Sequence, residues 1–572
     1  MKLSAAAANA LWAGSGLRAR RLYRAALGRP EPAQWMLLDR YLRENRNTAF
    51  GRAHGFDGVL AAAGGSVATT SEATARRLTA AYQERVPIST YDDLEPLIER
   101  VRAGEAGVLT SARVTRLVPS SGSTAAAKLV PSTAAGQREL SRAVDAWIGD
   151  LFLTQPALMT GSAYWSISPA VRADLSGAVP VGFDSVSAYL GSIRHALARA
   201  IVAVPDMVAG VHDGDAFRYV TLLFLVRARD LRLVSVWHPT FLTRLLDGLT
   251  VWFDRIVRDL ADGMVTPPSH VDRPLRRGLQ RQLGRHRRRA AELDRLYSSD
   301  PSAIWPSLAA ISCWADGPAA PYAKELERFF PRAQIQPKGL IATEGMVTIP
   351  FAGRHPLAVS SHFFEFVESD GRDESAGPSR KMRLAHELEA GREYTVLLTT
   401  GSGLYRYRLG DRVKVDGWVE RTPSLRFIGK DDRVSDCFGE KLSDGFVAGV
   451  IDRLFGGARP RFAMLAPERT PAGIAYTLFV ETDDSMQAAL PAALEVALRR
   501  NPHYAWCVDV GQLRPSRVLF VGPNADRAYV DTCVARGQRL GDVKPVSLHR
   551  EGGWQVALPR PRHRESEERT AC

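Results

Sequence analysis

Between Leu117 and Thr133 the chain reads LVPSSGSTAAAKLVPST, an apolar lead-in that breaks into Ser, Gly and Thr before one lysine and a second apolar run. Small residues in succession let backbone N–H groups converge, and the hydroxyls of Ser120, Ser121, Ser123 and Thr124 around Gly122 add donors. Such a concavity suits a polyanion, and Lys128 can set a point charge against a phosphate oxygen. The Walker pattern is absent, because Lys128 is not followed by Ser or Thr and the glycine spacing differs. In isolation an ordinary Ser/Gly turn would read the same way. Lysine is otherwise scarce: nine of the 75 basic residues. Where it persists against an arginine bias a specific ammonium can be required, and Lys128, Lys338, Lys430, Lys441 and Lys544 fall in or beside the segments singled out below.

The elements that must position this loop are those of a large α/β protein. Residues 1–85 read as Ala-rich helices with a turn at 45–58. Val86-Pro87 sets an extended entry, and Ser89 or Thr90 can cap a helix beginning at Tyr91. After the loop a helix runs over 134–153, and strand-like runs at 163–168, 219–226 and 231–236 alternate with helical segments, as in a mixed-sheet α/β architecture. A helix at 322–330 leads into the strand-like IQPKGLIATEG, followed by runs at 346–351 and 362–368. Residues 369–380 read as an exposed polar loop. Three further strand runs, 394–400, 404–408 and 412–415, are broken at Gly401-Ser402-Gly403 and at Gly410-Asp411. Beyond 427–432 helices and strands form a smaller α+β lobe, closed by a charged tail.

Composition excludes several classes. The chain has 572 residues, 45% hydrophobic and 24% charged, as a soluble multidomain protein of enzyme size does. Its net charge of +13 is carried by Arg in an Ala-rich chain, which reads as codon bias of a high-GC bacterium rather than as a nucleic-acid surface. The densest basic run, 273–289, reads as a solvated helix face. Five scattered cysteines offer neither a disulfide framework nor a zinc site, and a reducing cytoplasm fits them. The N-terminal MKLSAAAANALWAGSGLRARR is interrupted by Asn9 and gives way to arginines, so a surface helix is the better reading than a signal peptide. No apolar run is long enough to span a membrane.

Several segments in order resemble one family. SSGSTAAAK at 120–128, LIATEG at 340–345, HFFEF at 362–366, TTGSGLYRYRLGD at 399–411 and FIGKDDRVSDCFGEKL at 427–442 look like the auxin-responsive acyl acid amido synthetases of the Gretchen Hagen type, within the adenylate-forming superfamily. CWADGPAAPYAKELERFFP at 313–331 and NPHYAWCVDVGQL at 501–513 fit bacterial members. The resemblance spans VPI at 86–88 to VKP at 543–545, and GLYRYRLGD is its most specific piece.

The resemblance implies a mixed α/β adenylate-forming domain over 1–427, a hinge at 428–432, a mobile α+β lobe over 433–560 and a disordered tail at 561–572. It implies an ATP-dependent, cytoplasmic, monomeric ligase that converts a carboxylic acid to acyl-AMP and pyrophosphate, then to an amide with an amine, usually of an amino acid. Ser120, Ser121, Gly122, Ser123, Thr124 and Lys128 would hold the β- and γ-phosphates. Glu344 would bind Mg2+, a hard cation that favours carboxylate oxygen, with Thr343 against the nucleotide beside it. Asp411 would accept from the ribose hydroxyls, Lys430 would reach ribose or phosphate, and Lys441 and Lys544 would act from the mobile lobe. The family's aromatic at the start of the LIATEG segment is Leu340 here, and Phe363 could supply an adenine face instead. Taken singly, Glu344 could be a turn carboxylate, Asp411 a hairpin residue, and Arg406 and Arg408 the outer face of an amphipathic strand. His212, Trp237 and Phe241 could line an acyl pocket, but core packing is the reading taken. Two alternatives stay open: a ligase that passes the acyl group to coenzyme A or a carrier thiol, and a non-catalytic nucleotide-binding protein.

Overall fold

The computed structural model describes residues 3–64, 72–119, 128–166, 177–182, 201–296, 300–368, 382–430, 434–435, 437, 440, 442–456, 460–482, 488–509, 513–538 and 540–560. The chain divides into two compact units, Met1–Ile428 and Gly429–Cys572. In the first, β1 (Val114–Pro119) and β2 (Leu129–Thr133) pair antiparallel, with Pro119 opposite Leu129 at the two ends of the Ser/Gly loop. Thr133 then caps the helix Ala134–Thr154 by accepting from the Gly136 N–H, so the loop is framed by a strand pair and a long helix.

Four short strands, β3 (Ser162–Trp165), β4 (Leu231–Ser235), β5 (Ala310–Cys313) and β6 (Gln334–Pro337), form a parallel sheet in that order. The stretch 219–226, expected as a strand, is instead inside the helix Gly214–Arg227, whose Asp213 side chain accepts from the Ala216 N–H. Every residue from Phe217 to Val226 except Arg218 is buried. A helix buried on all sides shows no apolar stripe, so its run of apolar side chains carries no period that separates it from a core strand.

The second sheet of this unit is antiparallel, in the order β11-β10-β9-β7-β8. Its strands are β7 (Phe363–Glu368), β8 (Met382–Leu384), β9 (Glu393–Thr399), β10 (Tyr407–Val419) and β11 (Thr422–Lys430). Helix Pro30–Asn45 clamps the start of β7: Gln34 donates to the carbonyls of Val359 and His362 and accepts from the Phe364 N–H. The N-terminal helix Leu3–Leu27 lies along Ala134–Thr154, with Arg20 paired to Asp150 at 2.8 Å. Asn9, the residue that interrupts its apolar run, is buried and donates to the carbonyls of Met159 and Gly161. Among the described residues no helix is long and apolar enough to cross a membrane.

The second unit contains the two-residue strands β12 (Val434–Ser435) and β13 (Leu442–Ser443), and a three-stranded sheet. In that sheet β14 (Phe462–Thr470) pairs antiparallel with β15 (Gly473–Glu481), and β15 parallel with β16 (Arg514–Phe520). Helices Asp444–Leu454, Leu490–Leu498 and Ala525–Ala535 complete this α+β unit. The tail 561–572 and the loop 369–380 lie outside the described residues.

Candidate active site

The segment after β6 turns back on itself. Ala342 and Gly345 exchange both backbone hydrogen bonds, at 3.0 and 3.3 Å, and Ile341 bridges Met346, so Thr343 and Glu344 form the tip of a two-residue hairpin. Its base is fixed by Thr348, whose hydroxyl accepts from the Leu340 N–H at 2.8 Å. Its tip is fixed from the other side by His362, whose Nε2 accepts from the Met346 N–H at 3.2 Å. A Cβ on Gly345 would stand 2.8 Å from that nitrogen, so glycine is what lets the imidazole approach.

His362 rests on a buried carboxylate. Its Nδ1 stands 3.3 Å from Oε2 of Glu139, a fully buried residue of the helix Ala134–Thr154. Arg40 at 2.9 Å, the Tyr41 hydroxyl at 2.8 Å and the Gly401 N–H at 3.0 Å also donate to Glu139. Burial alone would push the carboxyl up, yet His362, the Gly401 N–H and Tyr41 outweigh it and hold the group below the ordinary value. One carboxylate thus ties the Thr343–Glu344 hairpin to the turn that opens the GSGLYRYRLGD segment. Nothing in the sequence marked Glu139, which looks like one more polar residue on an amphipathic helix.

That segment is not the plain strand its alternation suggested. Arg406 has φ of 45° and is buried, its Nε 3.0 Å from Oε2 of Glu365. It also donates to the carbonyls of Gln83 and Val86. Ser89 bridges Tyr407, accepting from the Arg408 N–H and donating its hydroxyl to the Tyr405 carbonyl. The VPIS stretch is therefore a splint for YRYR. Farther on, pairing with β9 jumps from Arg408–Leu397 to Arg412–Thr395, four residues against two. The surplus is a bulge at Leu409 to Asp411, with Gly410 at φ 74°. Bulges re-aim side chains, and here the bulge carries Asp411, which is 2% exposed. Asp411 is thus a buried bulge residue rather than a hairpin turn residue.

Lys128 sits just before β2, half-buried, with its ammonium 5.8 Å from the Tyr91 ring centre, while the Tyr91 hydroxyl accepts from the Leu129 N–H. Ser120, Ser121, Gly122, Ser123 and Thr124 lie outside the described residues, as do Lys441 and the side chain of Lys430. Lys544, in the smaller unit, is half-buried and its carbonyl accepts from the Tyr529 hydroxyl. Phe363, expected to offer an adenine face, is 1% exposed within the main apolar cluster and meets Tyr82 edge-on at 6.1 Å. Alternation along β7 cannot reveal this, because its first four residues, Phe363 to Phe366, are all buried, which removes the in–out pattern.

Against known families, residues 20–335 match the GH3 family N-terminal domain and residues 355–430 the GH3 family central domain. The first match alone covers more than half of the chain. The chain belongs to the GH3 family. Among curated relatives, the indole-3-acetic acid-amido synthetase GH3.2 of Arabidopsis thaliana is 23% identical over 482 residues, covering 79% of this chain and 82% of its own. GH3.17 of the same plant, also an indole-3-acetic acid-amido synthetase, is 25% identical over 535 residues, covering 82% and 86%. A solved GH3.15 acyl acid amido synthetase in complex with 2,4-DB superposes with a TM-score of 0.76 at 17% identity, covering 96% of this chain and 99% of that one.

The metal the family implies can be tested against this GH3 chain's own donors. Among the described residues there is no group of three or more His, Cys, Asp or Glu that could cage an ion. Mg2+ does not require one: it keeps several waters and is held by one or two carboxylates together with substrate phosphates. Glu344, half-buried at a hairpin tip whose backbone is fixed on both sides, fits that mode.

Proposed function

We propose that this chain is an acyl acid amido synthetase that activates a carboxylic acid with ATP and passes the acyl group to the amine of an amino acid. The observation that carries the reading is the GH3 family match over 20–335 and 355–430, which contains Lys128 and Asp411, with Thr343 and Glu344 in the short stretch between the two matched domains. A carboxylate is a poor electrophile. Attack of its oxygen on the α-phosphorus forms the acyl-adenylate and expels pyrophosphate. The amine nitrogen then attacks the carbonyl carbon, the C–O bond to phosphate breaks, and AMP leaves with its electron pair while the nitrogen loses a proton.

Each residue has a role in this scheme. Lys128, at the closed end of the β1–β2 pair, neutralises the β- and γ-phosphate oxygens and the departing pyrophosphate, together with Ser120 to Thr124. Thr343 contacts the nucleotide, and Glu344 holds Mg2+, which supplies charge to the triphosphate when bound. Asp411, held by the bulge, accepts from the ribose hydroxyls. Lys430 contacts the ribose or phosphate. Lys441 and Lys544 each serve one half-reaction, and 428–432 is the hinge of a mobile lobe over 433–560. The chain's division between Ile428 and Gly429 supports the hinge reading. The described cysteines are all free, which suits a cytoplasmic site of action.

Product analysis tests the reading. Purified protein is given ATP, Mg2+ and a panel of carboxylic acids, with amino acids or coenzyme A as acceptor. Pyrophosphate release with amide and AMP is expected. A thioester with coenzyme A in place of an amide would move the chain to the ligase alternative, and no pyrophosphate exchange with any acid would leave a binding protein.

A further inference from the structure

The carboxyl ends of the four parallel strands converge on a lysine. Trp165 ends β3, Ser235 ends β4, Cys313 ends β5, and Lys338 follows Pro337 at the end of β6, its N–H donating to the Cys313 carbonyl. The Lys338 ammonium stands 5.2 Å from the ring centre of Trp147, 5.9 Å from Trp165 and 5.1 Å from Trp237. Lys338 is 4% exposed. Trp237 is itself braced by Trp314, the ring centres 5.5 Å apart. This is three indoles around one buried cation, placed where open α/β sheets bind ligands, outside the carboxyl ends of their strands.

The cage leaves the ammonium short of acceptors. It donates to the Ser235 hydroxyl at 2.5 Å, the one hydrogen bond it makes among the described residues, and no carboxylate pairs with it there. An ammonium has three donors and needs oxygen partners when buried. Indole faces attract the charge but accept little hydrogen bonding. Burial accordingly draws Lys338 down from 10.5 to about 7. A residue under that strain in an arginine-rich chain has a use beyond packing, and the same segment runs on within six residues to the Thr343–Glu344 hairpin.

We infer that Lys338 and Ser235, walled by Trp147, Trp165 and Trp237, form the far end of the acyl-acid site, and that this end takes flat aromatic acids with an oxygen substituent remote from the reacting carboxyl. The inference rests on the acid-activating reading above. The oxygen belongs to the remote end because a buried ion pair with the reacting carboxylate would stabilise the ground state more than the transition state, in which that charge is being transferred. A phenol or carbonyl oxygen instead accepts from Lys338 and shares Ser235, while the ring lies against indole. The Trp147 N–H is already occupied, donating to Gln336 at 3.2 Å, whereas the buried Trp165 N–H has no acceptor among the described residues, so the ammonium, the Ser235 hydroxyl and that N–H are the groups that can meet the oxygen.

The test is calorimetric titration of the full chain, without ATP, with two pairs of acids: benzoate against 4-hydroxybenzoate, and phenylacetate against 4-hydroxyphenylacetate. In at least one pair the hydroxylated acid is expected to bind about tenfold or more tightly. Lys338→Met should bring that ratio to within about threefold, and Ser235→Ala should reduce it partway. No preference in the parent, no binding of any of the four acids, or a preference that survives Lys338→Met would overturn the inference. Acid-dependent pyrophosphate exchange is measured on the same proteins. Exchange without a Lys338-dependent preference sinks the inference and leaves the amido synthetase reading standing. A Lys338-dependent preference without exchange does the reverse.

Discussion

Replacing Lys338 by Met should stabilise the protein, and by an amount that fades as pH rises. The methionine side chain fills similar space and carries no charge. Burial draws the ammonium from 10.5 to about 7, with the nearby Cys313 sulfur opposing the shift weakly. At 1.36 kcal/mol per pH unit that separation corresponds to about 5 kcal/mol of penalty for holding the charge inside. Three indole faces oppose it, each contributing about 0.5–1 kcal/mol, and the Ser235 hydrogen bond adds about 1 kcal/mol. Roughly 2 kcal/mol of net relief therefore remains for Lys338→Met at pH 6, by the same terms. The sign with pH follows from where protons sit. Above about 7 the folded chain has shed the Lys338 proton, while the unfolded chain keeps it to about 10.5, so the parent gains stability across that interval. The Cys313 thiol, pushed up to about 12 by burial, stays neutral throughout. Thermal midpoints of parent and Lys338→Met at pH 6, 8 and 10 measure this. The variant should melt several degrees higher at pH 6, and the gap should close toward pH 10. A variant that melts below the parent at pH 6, or a gap that ignores pH, would refute the reasoning and make the cage a net stabiliser.

Four other outcomes are expected. Lys128→Ala should lower pyrophosphate exchange by a factor of about 30–1,000, equivalent to 2–4 kcal/mol of transition-state stabilisation, with the melting temperature unchanged; unchanged exchange would remove Lys128 from the phosphate site. Glu344→Gln should raise the Mg2+ concentration needed for half-maximal exchange, and a parental titration curve would make that carboxylate structural. Glu139→Gln should cost about 3 kcal/mol or more at pH 7, because Arg40 and His362 lose a buried partner. The folded carboxyl of Glu139 lies below the unfolded one, so its contribution is present above pH 4.5 and lost as pH falls through the folded value; the difference between parent and variant in urea should shrink below pH 4, and a difference constant from pH 7 to 3 would reject the charge argument. Asp431→Pro should impair one half-reaction far more than the other, read as pyrophosphate exchange beside amide formation from preformed acyl-adenylate; equal loss in both would end the hinge reading.

What the sequence disclosed about this fold followed from whether a segment faces two environments or one. The helix Ala134–Thr154 and strand β9 begin and end close to where the apolar runs and flanking glycines place them. Gly214–Arg227 is surrounded by core and shows no period, and it yielded the strand reading at 219–226. Local spacing also cannot show a bulge: Asp411 read as part of the break between two strands and Arg412 as the start of the second, yet both lie on β10.

The site residues divide on the same physical ground. Residues that meet a ligand directly need a particular group at a particular chain position, so Lys128, Glu344 and Asp411, which we propose do so, leave a mark in a single sequence. Residues that hold them in place need only a donor or acceptor arriving from anywhere in the fold. Glu139 reaches Gly401 across 262 positions and Arg406 reaches Glu365 across 41, and no motif records either pairing. Lys338 falls between the two kinds. Its lysine scarcity marked it, but only the convergence of Trp147, Trp165 and Trp237 from three distant segments gives it an environment. The helix that carries Glu139 also carries Trp147, eight positions on. One rigid element therefore supports the hairpin through His362 at one turn and walls Lys338 two turns later. A change that tilts this helix should disturb both nucleotide-side and acid-side affinities together, whereas Lys338→Met should affect the acid side alone.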